Sequence, residues 1–495
     1  MHESDTTPII KEVDGVHHGE VEVQVYKRRW WILFIFGSLG FMQCAVWNTW
    51  GPITATAKSA YGWDDAEIAL LSTWGTLTIL IGLVPMTIFL QKKGLGPSIL
   101  ITSILIALAT GIRCFTIDAK SFTILSHLGA ILNGFAGIII AIAPSLLSST
   151  WFPPHERTTA TGVGCTMNQL GNLGGFILGP LLVQEPLNMT EDFDFQHEFL
   201  YNSVNVTNGL DPEVEAMRKS IRVYMWIAAG VCISFLVFTL VYFPSKPPKP
   251  PSLSSASHNE EDKDKPFMEH LNDIKRNGNF WLLFLPYAVT LGINVAWGSI
   301  LDINLLPFGI SQEEASWVGV YTNVGGVLLA MIAARLTDLL FGHIKKTILG
   351  LMIVATLSFT WFLLLMNGVL PFDKVQMYIS VIMGASFNYA VSPLFFELAV
   401  ELAYPVPEGV VGGFLTFGYN VVAVMFLLVL QLKVDGVLWM DYILAIQGAV
   451  VVVLVLFVKE EYRRTSLDQN VVVIEQHRES SASRISSAAS GISNA

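Results

Sequence analysis

Long apolar runs of this 495-residue chain enclose several carboxamides, among them Asn133, Gln169, Asn294, Asn388 and Asn420. Hydrocarbon offers an amide no hydrogen-bond partner, so each must be satisfied by a neighbouring helix or by a polar cavity. Both readings stay open for any one of them. Counting helical rise puts all five near one depth, as a shared cavity for a small hydroxylated or cationic solute requires. Trp47, Asn48 and Trp50 lie near the end of the first apolar run, where the indoles serve either as interface anchors or as flat π-faces for a ring or a cation. Trp297 is a further candidate aromatic wall. Three of the carboxyls in these runs stand out. Glu397 and Glu401 are one helical turn apart and read as a latch between moving parts; Glu397 is also the second candidate for moving a proton. Asp302 is the first candidate proton carrier, with Arg113 as a candidate partner.

The elements that must position these groups are apolar segments long enough to cross a bilayer, which takes about 20 residues each. Twelve occur, near 30–51, 66–89, 97–117, 122–149, 158–183, 222–243, 279–306, 313–339, 344–367, 372–401, 407–432 and 438–458. Apolar residues make up 52% of the chain, charged residues only 14%, and the mean hydropathy is +0.54. The expectation is an all-α membrane protein of two six-helix halves. Its parts are an N-tail (1–26), an N-terminal half (27–243), a linker (244–278), a C-terminal half (279–459) and a disordered C-tail (460–495).

Basic residues fix the orientation. Lys27, Arg28 and Arg29 precede the first segment, Lys92 and Lys93 follow the second, and Lys459, Arg463 and Arg464 follow the twelfth. The opposite connections carry lysines one at a time, which places both tails and the linker in the cytosol. The 184–221 loop then falls on the far side with two glycosylation acceptors, Asn188 and Asn205. The linker's proline run and mixed charges read as an extended, disordered strap. Cys44, Cys114, Cys165 and Cys232 all lie in apolar runs without a CxxC pair, so packed thiols are expected rather than a metal site. The formal charge of −11 rests mostly on the tails and loops; with no basic stripe, nucleic acid is not an expected partner. No nucleophile elbow, phosphate loop or HExxH indicates an enzyme.

Two halves around a cytosolic strap match the major facilitator architecture. Ala334-Arg335-Leu336-Thr337-Asp338, with Gly342, Lys345 and Lys346, resembles that superfamily's signature in the loop after the second helix of a half. Asp338 is expected to accept from a helix N-terminus and hold the cytosolic side shut. The equivalent Leu90-Gln91-Lys92-Lys93-Gly94 has Gln91 where the acid belongs. Gly171, Gly175 and Gly179 form a small-residue ladder, read either as plain packing or as a hinge.

Trp47-Asn48-Thr49-Trp50-Gly51-Pro52-Ile53, Ser149-Thr150-Trp151-Phe152, Leu301-Asp302, Phe395-Phe396-Glu397-Leu398 and Tyr404-Pro405-Val406-Pro407-Glu408-Gly409 resemble solute carrier family 49 over roughly residues 26–462. One branch of that family exports pyridoxine-type compounds from lysosomes with protons. A virus-receptor-type branch carries choline and ethanolamine, and was long discussed in haem export. The resemblance implies no cofactor, a small organic solute with or without protons, and Trp47 and Gln169 at its binding site. It shares Asp302 with the first branch only. Glu401, Glu408, Arg335 and Asp338 become the expected gating set. Where the receptor-type proteins have a second site glutamine this chain has Asn420, and their helix 7 tyrosine falls near Val295; an incomplete cage favours a flat heteroaromatic solute. No histidine cluster or CxxCH supports haem, and a non-transporting receptor in the same fold is the alternative of a different class. Asp5, Ile9 and Ile10 resemble an acidic dileucine signal for a sorting adaptor, which implies an endolysosomal membrane.

Overall fold

The computed structural model describes residues 7–13, 16–184, 212–252, 254–255, 267–310, 312–339, 343–431 and 438–466. Asn188, Asn205, Asp5 and Gly342 lie outside them. Ahead of the helical body, β1 (Thr7–Val13) pairs antiparallel with β2 (Val16–Val23), Ile9 opposite Val21.

The N-terminal half runs α1 (Arg29–Trp47), α2 (Thr54–Tyr61), α3 (Asp65–Lys93), α4 (Leu95–Gly111), α5 (Ala119–Ile142), α6 (Pro144–Trp151), α7 (Arg157–Leu182) and α8 (Pro212–Val241). A short helix, α9 (Phe267–Arg276), belongs to the linker. The C-terminal half follows as α10 (Gly278–Gly298), α11 (Leu301–Leu305), α12 (Gln312–Leu339), α13 (Ile344–Met366), α14 (Lys374–Ala390), α15 (Ser392–Ala403), α16 (Glu408–Gln431) and α17 (Leu438–Phe457). Among the described residues, 11 helices or helix pairs are long and apolar enough to span a membrane. The remaining crossing of the twelve is α7, whose 26 residues are rich in glycine, threonine and amides. Its low hydropathy follows from its place: α7 packs against α1 on one side and against α12 and α15 of the other half.

Local chemistry sets the breaks. Asp64, Asp118, Asn277 and Asp373 accept the backbone N–H three residues on, and so start α3, α5, α10 and α14. Pro144 opens α6 and Pro393 sits in the first turn of α15, where a missing N–H costs nothing. These prolines divide the fourth and tenth crossings at matching places in the two halves.

The glycine ladder joins α7 to α1 inside the N-terminal half. A Cβ on Gly171 would stand 2.1 Å from the Phe41 carbonyl oxygen, and on Gly175 3.0 Å from the Asn48 Cβ. Backbone thus meets backbone, which only glycine permits. Gly171→Ala is expected to cost about 1–3 kcal/mol and lower the thermal midpoint of the purified protein. Gly230→Ala on α8, where nothing lies within 4 Å, should leave it unchanged; equal midpoints for the two variants would refute this account of the ladder.

Among the described residues, parts of the linker and of the start of the C-tail are held by hydrogen bonds. In the linker, Arg157 donates to the hydroxyls of Ser252 and Ser254 at 2.5 and 2.9 Å, and α9 buries His270 and Ile274. The start of the C-tail is folded too. Glu460 accepts the Lys345 N–H at 2.9 Å, and the Tyr462 hydroxyl accepts that of Ile344 at 3.0 Å. Free donors at the start of α13 are what bind this segment.

Candidate functional site

The two halves are joined by hydrogen bonds at the face that carries the linker and tails. There Asp338, at the end of α12, accepts the Thr158 N–H at 3.1 Å and the Thr159 N–H at 2.6 Å. A carboxylate on the first turn of α7 meets both its orphan donors and its positive dipole end. Arg335 is exposed beside it. The pseudo-equivalent position in the other half works differently. Leu90 packs under Gly409, whose Cβ would lie 3.0 Å from it, and Thr87 lies under Gly413. Apolar closure stands where Gln91 replaces the acid.

Beside this lies a buried ion cluster. Glu397 and Glu401 share one face of α15, and Glu408 opens α16; they are 1%, 2% and 3% exposed. Glu397 accepts from Ser148 on α6 at 3.4 Å and from the Thr161 hydroxyl on α7, both in the other half. Its second oxygen accepts from Arg464 Nη2 at 2.8 Å. Glu401 accepts from Arg464 Nε at 3.1 Å, from the backbone N–H of Arg464 and from the Thr465 hydroxyl at 2.7 Å. Glu408 lies 3.7 Å from Arg464 Nη1. Burial opposes the charge on the Arg464 guanidinium, but Glu401, Glu397 and Glu408 outweigh it and hold its pKa above the ordinary arginine value.

Arg464, which sequence alone places in the C-tail, is the cation of this cluster, on a helical turn over residues 463–466. Nothing in the basic run that follows α17 distinguishes it from Arg463, which is exposed. The signal that was available is arithmetic: three acids at the ends of apolar segments need a cation.

The other candidate residues divide. Gln169 is half-buried and without a hydrogen-bond partner among the described residues, and Trp47 is half-buried. Asn294 and Asn388 are 1% and 0% exposed, with both amide atoms of each unpartnered. Buried amides of this kind are completed by water or by a ligand. Asn133 instead bridges α5 to α1: its Nδ2 donates to the Gln43 carbonyl at 3.0 Å, and Gln43 Nε2 returns a bond at 3.4 Å. Gln43, missed in the sequence, also accepts from Asn168 at 3.1 Å. Asn48 and Asn420 donate to carbonyls one turn back on their own helices.

The two other aromatic candidates pack within the halves. Trp297 stands edge-on to Phe359 and Phe362 in the core of the C-terminal half, so it does not complete a cage with Trp47. Trp50 packs with Trp63 and Phe122. Arg113 lies over the Trp50 ring, 5.7 Å from its centroid, inside the N-terminal half. Asp302 is on α11; its side chain lies outside the described residues. Two residues along, Asn304 donates to Asp441 at 2.8 Å. Asp441, at the start of α17, is fully buried and has one oxygen unpartnered. Sequence reading passed over it because a carboxyl at a helix start is ordinarily solvated.

Among the described residues no group of histidines, cysteines and acids suits a metal, and the four cysteines are free.

With this geometry, comparison with known proteins is decisive for the family. The Major Facilitator Superfamily profile matches residues 35–427. A "solute carrier family 49 member 4 homolog" of Xenopus tropicalis is 35% identical, covering 91% of this chain and 95% of its own. The chain belongs to the Major Facilitator Superfamily, in solute carrier family 49. A human "choline/ethanolamine transporter FLVCR2" is 25% identical over 94% of this chain and 85% of that one. Among solved structures, the E. coli fucose:proton symporter FucP superposes with a TM-score of 0.62 at 14% identity, over 88% of this chain and all of that one; at that identity the likeness is one of fold. Members of this family are transporters of small solutes, not enzymes.

Removing one partner of a buried ion cluster typically costs about 3–5 kcal/mol, because the remaining charges stay desolvated. Arg464→Ala should therefore lower thermal stability and expose the face between α6, α7 and α15 of the purified protein to a thiol reagent. Adding Glu401→Gln should restore part of the loss. An Arg464→Ala protein as stable and as protected as the parent would show that the cluster does not hold the halves together.

Proposed function

We propose that this chain moves a small organic solute across an endolysosomal membrane by alternating access. Its termini lie in the cytosol, and the solute is a pyridoxine-type compound exported with protons. The observation that carries the reading is the one-sided closure: among the described residues, the hydrogen bonds between halves all lie at the tail face. Polar groups able to bind a solute lie deeper. A seal made of hydrogen bonds and ions can be exchanged for water when the halves rock; an apolar core cannot.

Trp47 offers a flat face and Gln169 an unpartnered amide, a pair suited to a hydroxylated pyridine ring. Asn294 and Asn388 supply further donors and acceptors from the other half. Relatives named as choline/ethanolamine transporters support a second reading, in which Trp47 holds a quaternary ammonium by cation–π attraction. Location in endolysosomes rests on the Asp5, Ile9 and Ile10 motif, and glycosylation at Asn188 and Asn205 would accompany this topology. A sorting adaptor is the partner this implies.

Competition between pyridoxine and choline for uptake into reconstituted vesicles separates the two solutes. Trp47→Ala and Gln169→Ala should each weaken apparent affinity by about 1–3 kcal/mol, roughly 5- to 150-fold, with folded yield intact. Unchanged affinity in either variant would assign that residue to packing.

The proton is assigned to Asp302. A carboxyl in a helix bundle crosses the occluded state at lower cost when protonated than when charged, so it can load a proton from an acidic lumen and release it to the cytosol. Asp302→Asn mimics the protonated form. It should abolish the dependence of net transport on a pH gradient while preserving solute exchange. Retained gradient dependence would move the assignment to Glu397 or Asp441; loss of both modes would indicate a structural role.

A further inference from the structure

The last described residues read Arg463-Arg464-Thr465-Ser466. Two arginines, two and three positions before a serine, are what basophilic protein kinases recognise through carboxylates in their peptide groove. The structure distinguishes the two hydroxyls. Thr465 is buried and donates to Glu401 at 2.7 Å, whereas Ser466 is exposed and donates only to the Arg463 carbonyl at 3.0 Å. Arg463 is exposed and paired with Glu461 at 2.7 Å. Arg464, the other half of the recognition element, is 2% exposed among Glu397, Glu401 and Glu408.

We propose that Ser466 is a phosphorylation site for a basophilic, ATP-dependent kinase, and that its modification holds the Arg464 latch open. The inference rests on the cytosolic placement of the tail proposed above. In the kinase the Ser466 Oγ attacks the γ-phosphorus of ATP and gives its proton to the kinase's base. The bond from the γ-phosphorus to the bridging oxygen breaks, and ADP leaves. Phosphoserine carries about −1.5 to −2 charges near neutral pH and three acceptor oxygens. Returned to the latch it would bring that charge to the residue next to Thr465, against three carboxylates already sharing one arginine. Released from it, the phosphate has Arg463 and Arg464 as partners within its own turn. Both effects favour the released tail. Because the kinase needs the guanidinium that the latch buries, it acts on the state in which the halves have parted at this face. Modification therefore captures an opening that has already occurred.

The test uses the purified full chain, with and without ATP and the catalytic subunit of a cyclic-AMP-dependent kinase. Site occupancy is read by mass spectrometry. Opening is read by maleimide labelling of a Thr87→Cys variant, quantified on the peptide carrying that position so that the native thiols do not interfere. Thr87 is 3% exposed, lies under Gly413 at the closed face and takes no part in the ion cluster. Phosphate is expected at Ser466 and to be lost in Ser466→Ala. It should be incorporated several-fold faster in Glu401→Gln and in Thr465→Val, the second variant loosening the tail without touching the helical carboxylates. After phosphorylation, labelling at position 87 should rise about fivefold or more. Three outcomes overturn the proposal: no incorporation in the parent or in either loosened variant, equal rates in all three, or full occupancy of Ser466 with unchanged labelling. None of these readouts requires a solute, so they stand or fall separately from the transport reading.

Discussion

Desolvation of charge is the constraint around which this structure is arranged. Glu397, Glu401 and Glu408 are almost fully buried, and one guanidinium reaches all three. Carboxylates so placed cost several kcal/mol each unless paired and hydrogen-bonded. The payment comes from three different parts of the chain: Ser148 on α6, Thr161 on α7, and Arg464 with Thr465 in the tail. The cluster can be satisfied only when both halves and the tail are together. That makes it a sensor of their relative position as well as a bond between them.

The internal repeat explains where the cluster falls. The fourth and tenth crossings are each divided by a proline in the first turn of a short helix, α6 and α15. The short helices face one another across the pseudo-symmetry, Ser148 against Glu397. Equivalent backbones thus carry unequal chemistry, a hydroxyl on one side and a pair of acids on the other. The same inequality recurs in the neighbouring loops. Asp338 caps α7, whereas the corresponding loop of the first half closes through Leu90 and Thr87 on Gly409 and Gly413. Of the two contacts, one is electrostatic and the other apolar, so they respond differently to water and to charge.

A transporter's seal must be strong enough to exclude leakage and weak enough to be traded for solvent within a cycle. Buried ion pairs suit this need. Their attraction is offset by desolvation, so the difference between closed and hydrated states is small compared with either term. Tight α1–α7 packing through Gly171 and Gly175 has the opposite character, since no water can replace a backbone contact. Ion pairs lie between the halves, whereas backbone packs on glycine both within the N-terminal half and, where Gly412 meets the Ile142 carbonyl, between the halves.

The sequence by itself determined the membrane class, the twelve crossings and the two-half plan, because segment length and hydropathy are local properties that a bilayer reads directly. The family was legible for the same reason: its motifs are contiguous. It also picked out Glu397, Glu401 and Asp338 as charges that must be satisfied. Tertiary structure alone decided with what. That Arg464 rather than Arg463 enters the cluster, that Trp297 turns into its own core, that Asn133 exchanges hydrogen bonds with Gln43 and that Asp441 is buried all depend on which face of a helix meets which neighbour. Periodicity in crossings such as α3 and α4 is too weak to fix that face, since hydrophobic residues point toward lipid and toward protein alike. Partners distant in sequence, such as Glu397 and Arg464, then become visible only once the chain has brought them into one desolvated space.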